Sequence, residues 1–565
     1  MLRYEGETYR LIFLDDRPFV RVYSDSVDRI VDLFVLSSVH PLEGRDDTTG
    51  IEDWKVSQSG KETIFKLRAT SSVWSAKEYR FRCSPKRFVY EIEVEGNGPL
   101  AEANYFGGYY SGQMRWGSGF FWSGQAFNFG FNPEPNSQEK IYFKLDGNAR
   151  IDLMGVPLPA RGDWFFTPPP FCFAMAYDVG WIGMGVEAQQ GDNRFTEYSY
   201  HGASDAFFLS LAYEGYTRVQ GRAVLPAIGF DFSKDAYDVL SVYVQALKEK
   251  KLVPEGYLPE KPDWWQSPIF CGWGAQNHLA RQTNGAAADF SRQNHYEDFL
   301  KILEKNNCNP GIVVLDDKWQ STYGRNEVDA EKWPDLRGFI DQQHGLGRKV
   351  LLWLKAWDPE GLPIDECITN ASGRVVAFDP TNPKCERRLI ESVQHMLGID
   401  GYNADGFKVD FTARIPSGPG MHLFGNVWGL ELMKAYLEIL YREAKRIRED
   451  ALIISHTPNP YLADVIDMIR LNDINTTSPV NPAMVHRAKV AWIACPNALI
   501  DTDNWPMPDK ASWRNYLYLQ SELGVPSLYY ASHIDATGEA LDAEDYALIR
   551  KIWKQADPVS QEKKP

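Results

Sequence analysis

The chain has 565 residues, too many for one core, so two or three domains are expected. With 44% hydrophobic and 24% charged residues it reads as soluble and globular, and no run of 18 or more apolar residues suits a membrane span. A formal net charge of −16 argues against nucleic acid or an anionic membrane as partner, because either requires a basic surface; a neutral ligand fits more easily.

The 18 Trp, 28 Tyr and 30 Phe make aromatics frequent, which suits carbohydrate clefts and large β cores alike. Seven Cys, at 83, 172, 271, 308, 367, 385 and 495, are odd in number and show no CxxC spacing. They read as reduced thiols, not as a disulfide framework or zinc site. Met1-Leu-Arg-Tyr-Glu-Gly lacks the apolar h-region of a signal peptide, so a cytoplasmic location is expected.

Residues 1–235 alternate apolar and polar positions in short runs such as Arg10-Leu-Ile-Phe-Leu, Thr63-Ile-Phe-Lys-Leu-Arg and Phe88-Val-Tyr-Glu-Ile-Glu-Val. Gly, Pro, Asn and Asp punctuate them, predicting an N-terminal antiparallel β-sandwich domain. A helix over 234–250 and a proline-containing linker, Val253-Pro-Glu-Gly-Tyr-Leu-Pro, fill 236–264.

From 265 to 565 short apolar strands alternate with amphipathic helices, among them 292–305 and 428–448. Eight strands are expected: Pro268-Ile-Phe-Cys-Gly-Trp, Gly311-Ile-Val-Val-Leu, Lys349-Val-Leu-Leu-Trp-Leu, Gly406-Phe-Lys-Val-Asp, Ala451-Leu-Ile-Ile-Ser, Asp467-Met-Ile-Arg-Leu, Ala498-Leu-Ile-Asp and Pro526-Ser-Leu-Tyr-Tyr. Eight βα units make a (β/α)8 TIM barrel, so the fold class is multidomain, β followed by α/β, with the active site at the C-terminal strand ends. A doubly wound sheet is the alternative, but no phosphate-binding Gly-rich loop follows the first strand.

Those strand ends carry Trp273 after the first, Asp316 and Asp317 after the second, and Trp353 and Lys355 after the third. Lys408 and Asp410 end the fourth, His456 the fifth, Arg470 and Asp473 the sixth, and Asp501, Asp503 and Trp505 the seventh. Lys408 and Asp410 are two apart, so alternation sends both to one face, and a cation beside a carboxylate keeps it ionised, as a nucleophile requires. Carboxylates interleaved with Trp and Lys suit a polyhydroxylated substrate. Only His456 lies near the rim as an imidazole ligand, so neither a metal nor another cofactor is expected.

Glycoside hydrolysis needs two carboxyl groups, and Asp410 and Asp473, on the fourth and sixth strands, can face each other across a barrel mouth. Plainer readings stay open: Asp473 as a helix N-cap or Asx turn, Asp316-Asp317 as a loop cap, the three Trp as core.

The ordered set Asp316-Asp-Lys-Trp319, Trp333-Pro-Asp-Leu-Arg-Gly-Phe, His344-Gly-Leu-Gly-Arg-Lys-Val-Leu-Leu-Trp353, Phe378-Asp-Pro-Thr-Asn-Pro383 and Lys408-Val-Asp410 resembles the α-galactosidase (melibiase) families of clan D retaining glycoside hydrolases. It is similar, in part, to the related α-glucosidase families, and the match spans roughly 265–530. The resemblance implies Asp410 as nucleophile, Asp473 as acid/base, Lys408 as a sugar ligand, and Asp316 and Asp317 as holders of hydroxyls distal to the scissile bond. Around them Trp273, Trp353, Lys355, His456, Arg470, Asp503 and Trp505 are the expected substrate-binding residues. The chain departs from the pattern at Phe411, at Trp353-Leu-Lys-Ala-Trp357 where an acidic segment is usual, and at Ser455-His-Thr-Pro-Asn-Pro460, which leaves galactose specificity open. An oligosaccharide or glycoside is the expected partner. An α-glucosidase, a transglycosidase of the raffinose-synthase kind and, outside enzymes, an inactive carbohydrate-binding protein are the alternatives; sugar, linkage and any homo-oligomer stay unassigned.

Overall fold

The computed structural model describes residues 2–24, 29–110, 112, 114–119, 148–152, 172–177, 180–203, 206–254, 261–412, 414–471, 473–474 and 479–556. The expected linker lies partly outside them, at 255–260.

The N-terminal half is β-rich, and among the described residues all its strand pairings but one are antiparallel. A four-stranded meander, Leu2–Glu5, Tyr9–Phe13, Phe19–Ser24 and Arg29–Phe34, stands beside one large sheet. The long strands Arg87–Tyr105 and Ala206–Val224 pair with each other as well as with their other neighbours, which closes that sheet into a ring. Hydrogen bonding therefore describes a closed barrel beside a meander, where the alternating pattern predicts two facing sheets. Alternation fixes which side chains point inward and carries no information about how a sheet curls.

Helix α1 (Ala236–Glu249) follows, capped by Asp235, whose carboxylate accepts from the Tyr237 and Asp238 amides. Tyr237 ties it forward, its hydroxyl 2.7 Å from Nδ1 of His486.

Eight parallel strands then form a nearly closed barrel: β1 (Ile269–Cys271), β2 (Ile312–Leu315), β3 (Lys349–Lys355), β4 (Gly406–Asp410), β5 (Leu452–Ser455), β6 (Met468–Arg470), β7 (Leu499–Asp501) and β8 (Ser527–Leu528). β8 pairs with β1, and a parallel bridge between Asp501 and Val525 joins β7 to the residues entering β8. Continuous apolar runs such as Ile312-Val-Val-Leu are buried throughout, as strands covered on both faces must be. The outer helices are α2 (Trp273–Thr283), α3 (Gln293–Lys305), α4 (Leu336–Gly345), α5 (Pro383–Leu397), α6 (Leu430–Ile447), α7 (Val480–Ala494), α8 (Lys510–Leu523) and α9 (Ala543–Ala556).

One expected βα unit is missing. Between β5 and β6 the chain makes only a 3-10 turn, Pro460–Leu462, capped by Asn459. Pro458 and Pro460 occupy the stretch where a helix would have to nucleate, and what remains before β6 is too short for one.

The two halves touch beside the barrel mouth. Tyr216 stacks on Trp428 at 3.8 Å and donates its hydroxyl to the Gly418 carbonyl at 2.9 Å, while Trp428 donates to Glu214. Glu431, in the first turn of α6, accepts from the backbone of Gly191 and Asn193. The loop that leaves β4 is thus anchored by the β-rich half. All seven cysteines are buried free thiols, and no helix among the described residues is long and apolar enough to cross a membrane.

Candidate active site

The thirteen residues singled out from the sequence lie in the C-terminal parts of the barrel strands or just after them, Trp273 as the first residue of α2 and Trp353 and Lys408 inside β3 and β4. Asp410 closes β4 and receives three donors. Its Oδ1 accepts from Arg470 Nη2 at 3.0 Å and from the Phe411 amide at 2.9 Å, and its Oδ2 accepts from the indole of Trp353 at 3.2 Å. His456 Nε2 lies 3.4 Å from Oδ1. Burial by itself would raise the titration of Asp410, but Arg470, then His456 and Lys408, outweigh it and hold the carboxyl well below the usual range.

Arg470 is 2% exposed and serves three carboxylates: Asp410 through Nη2, and Asp473 at 2.9 Å and Asp503 at 2.6 Å through Nη1. One guanidinium therefore bridges the two carboxyl groups proposed to face each other. Asp473 is the open member, with 36% of its side chain exposed. Its carboxyl is pushed up to about 6, by burial of the site first and then by the charges of Asp410 and Asp503, against the pull of Arg470. A pair of acids driven apart in this way is the arrangement that lets one remain ionised while the other holds a proton.

Lys408 acts on Asp410 through its charge and is hydrogen-bonded elsewhere. Alternation does place it on the face of Asp410, but its ammonium donates to Asp316 Oδ2 at 2.6 Å, and both side chains are 4% exposed. Burial lowers its titration and the Asp316 charge more than reverses this, so Lys408 stays cationic. The cation bonded to Asp410 is Arg470, from a strand two places on, which local spacing cannot reveal. Cys271, the last residue of β1, donates its thiol to the same Asp316 oxygen at 2.9 Å.

Asp317 is differently placed from Asp316. The Tyr323 hydroxyl donates to its Oδ1 at 2.7 Å, and its carboxyl is pushed up to about 6, burial being the main cause and Asp316 adding to it against Tyr323 and Lys355. The Tyr323 ring in turn has the ammonium groups of Lys318 and Lys355 at 4.2 Å, and Lys355 also pairs with Asp358. Tyr323 was invisible to strand-end reading because it sits in the loop after β2, six positions beyond Asp317.

The remaining residues complete the wall. Trp353 is 1% exposed and turned toward Asp410, and His456 is fully buried beside Asp410 and Thr412. Trp273 and Trp505 meet edge to face at 5.8 Å on the side where β7 and β1 approach β8. Asp503, fully buried, accepts from Arg470 and from the Trp505 amide, while Asp501 accepts from Ser527 and the Asp503 amide. Among the described residues no group of three His, Cys, Asp or Glu side chains has a metal-holding arrangement. Two open depressions, of about 790 and 810 Å³, lie near Gly398 and Gly311, away from these strand ends, and contain none of these carboxylates.

No family model matches the sequence, and no curated protein matches it. Solved structures do share its fold. A GH31 family sulfoquinovosidase from E. rectale superposes with a TM-score of 0.58 at 13% identity, covering 99% of this chain and 82% of its own. An α-galactosidase from Thermus thermophilus gives 0.50 at 13% identity, over 88% of this chain and 99% of its own. The cycloalternan-forming enzyme of Listeria monocytogenes gives 0.54 at 12% identity over 98% of this chain, which spans only 55% of that enzyme's length. The chain has the fold of these carbohydrate-active proteins.

Proposed function

We propose that the chain is a retaining α-glycoside hydrolase, with α-galactosides as the leading substrate class, 1–235 as its β domain and 265–565 as its catalytic unit. The observation that carries this reading is the Arg470 bridge, on which Asp410 is held ionised and Asp473 is raised to about 6. Ionised Asp410 attacks the anomeric carbon while protonated Asp473 gives its proton to the departing glycosidic oxygen, leaving a glycosyl ester on Asp410. Asp473, now a carboxylate, then takes a proton from water as that water attacks the same carbon, and both carboxyl groups return to their starting states.

Arg470 stabilises charge on Asp410 before attack and on Asp473 after proton loss, so the proton changes hands without stranding a buried anion. Asp317, Lys408 and Lys355 are the groups offered to the sugar hydroxyls. A second reading, an α-glucoside-type substrate, is favoured by Lys355, a cation at the end of β3 where the resembled α-galactosidases carry an acidic segment.

A panel of p-nitrophenyl α-glycosides assayed with wild type and Asp410→Asn tests activity, sugar and nucleophile together. Release of nitrophenol from one or more α-glycosides by wild type alone is expected. A wild type inactive on the whole panel, or a fully active Asp410→Asn, removes the assignment.

A further inference from the structure

Tyr529 directly follows β8, two residues beyond the buried Ser527, whose hydroxyl donates to Asp501 at the end of β7. Its backbone is held on both sides. The amide donates to Asn504 Oδ1 at 3.0 Å, from the loop after β7, and the carbonyl accepts from the Ala275 amide of α2 at 2.9 Å. The ring packs under the Lys408 ammonium, 5.0 Å from its centroid. Tyr529 is 1% exposed, yet its hydroxyl finds no hydrogen-bond partner among the described residues.

A buried phenol that gives up its bonds to water and gains none is a standing cost, and such a group is retained where a partner arrives later. After burial, the groups that act on its titration are Asp503, Cys271, Asp501 and Arg470, so the hydroxyl stands among the charged residues of the site and stays protonated at any working pH.

We propose that Tyr529 is a substrate-binding residue, its phenol hydroxyl bonding one hydroxyl of the glycone beside Lys408. This rests on the glycosidase reading above. The group recognised is a neutral sugar hydroxyl, since a phenol donates to and accepts from one equally well. The ring, wedged beneath Lys408 and fixed through its backbone, holds that hydroxyl in place before the sugar enters, so little rotamer entropy remains to be lost on binding.

The test is Tyr529→Phe in the full chain, measured for melting temperature and for kcat/KM on the best p-nitrophenyl α-glycoside and on its singly deoxygenated analogues. Tyr529→Phe deletes only the unpaired hydroxyl, so melting temperature is expected to hold or rise while kcat/KM falls by about tenfold or more. One deoxy analogue should erase the difference between wild type and Tyr529→Phe, because the partner hydroxyl is then already gone. Unchanged kcat/KM in Tyr529→Phe overturns the inference, whether or not stability changes, and leaves the glycosidase reading intact so long as Asp410→Asn is inactive. An equal loss on every analogue also overturns it, since no single hydroxyl is then read. A wild type that cleaves nothing removes the reading and the inference together, an outcome visible without any variant.

Discussion

Lys408 and Asp316 form an ion pair 2.6 Å long with each side chain 4% exposed, whereas the neighbouring Asp317 has no cation bonded to it among the described residues and accepts from the neutral Tyr323 hydroxyl. Two adjacent carboxylates that look equivalent in the sequence are therefore unlike in consequence. Neutralising one member of a buried pair strands the other charge, at a cost of about 3–5 kcal/mol. Asp316→Asn should lower the melting temperature markedly and lose activity with it. Asp317→Asn should melt close to wild type and lose about tenfold to a hundredfold in kcat/KM. Melting curves and kinetics on both variants check this, and equal stability losses would contradict the distinction.

Asp473 must carry a proton to act as acid, and its carboxyl stands at about 6. Activity should therefore fall as pH rises above that value, with an alkaline limb that disappears in Asp473→Ala. Asp473→Ala should retain activity best on substrates whose leaving group needs no protonation. A profile whose alkaline limb is the same in wild type and Asp473→Ala would take the residue out of the acid role.

Asp501 makes a separate prediction about stability. Burial, then the Asp503 charge, raises its carboxyl to about 6 from an ordinary 3.8. The folded state thus binds a proton that the unfolded state releases between those values, so this group's contribution to stability is present at low pH and is lost as pH rises through the window. Asp501→Asn keeps an oxygen to accept from Ser527 and the Asp503 amide, and should stabilise the protein at pH 7 by up to about 3 kcal/mol. Chemical denaturation of both proteins at pH 4.5 and pH 7 measures it; an Asp501→Asn variant less stable than wild type at pH 7 refutes the account.

Tyr323→Phe keeps the ring between Lys318 and Lys355 but removes the donor to Asp317. Since that donor lowers the titration of Asp317, its loss should move the acidic limb of kcat/KM upward from about 6 and reduce the maximum of the profile by about tenfold. An unchanged limb with a lowered melting temperature would make Tyr323 a packing residue only.

Much of the barrel was legible because buried parallel strands are short apolar runs whose charged residues gather toward their C-terminal ends. Gly406-Phe-Lys-Val-Asp occupies β4 with the boundaries read from the sequence, and Asp410 and Asp473 fall where strand-end logic puts them. Partners could not be read. Arg470 bonds Asp410 across 60 positions and Lys408 bonds Asp316 across 92, distances set by barrel closure and not by local pattern. The ring closure of the β-rich half depends on Arg87–Tyr105 pairing with Ala206–Val224, a non-local choice that alternation leaves open. The helix missing after β5 was signalled by Pro458 and Pro460, but the eight-unit pattern outweighed them.

The central claim is that Asp410 is the nucleophile of a double displacement, and azide rescue of Asp410→Ala tests it most directly. With the carboxylate gone, azide can occupy its place and attack the face Asp410 would have used, so an α-glycoside with a good leaving group should yield the β-glycosyl azide, identified by its anomeric proton coupling. Restored turnover with that inverted product is the predicted result. No rescue by azide, or an α-glycosyl azide from Asp410→Ala, would contradict it.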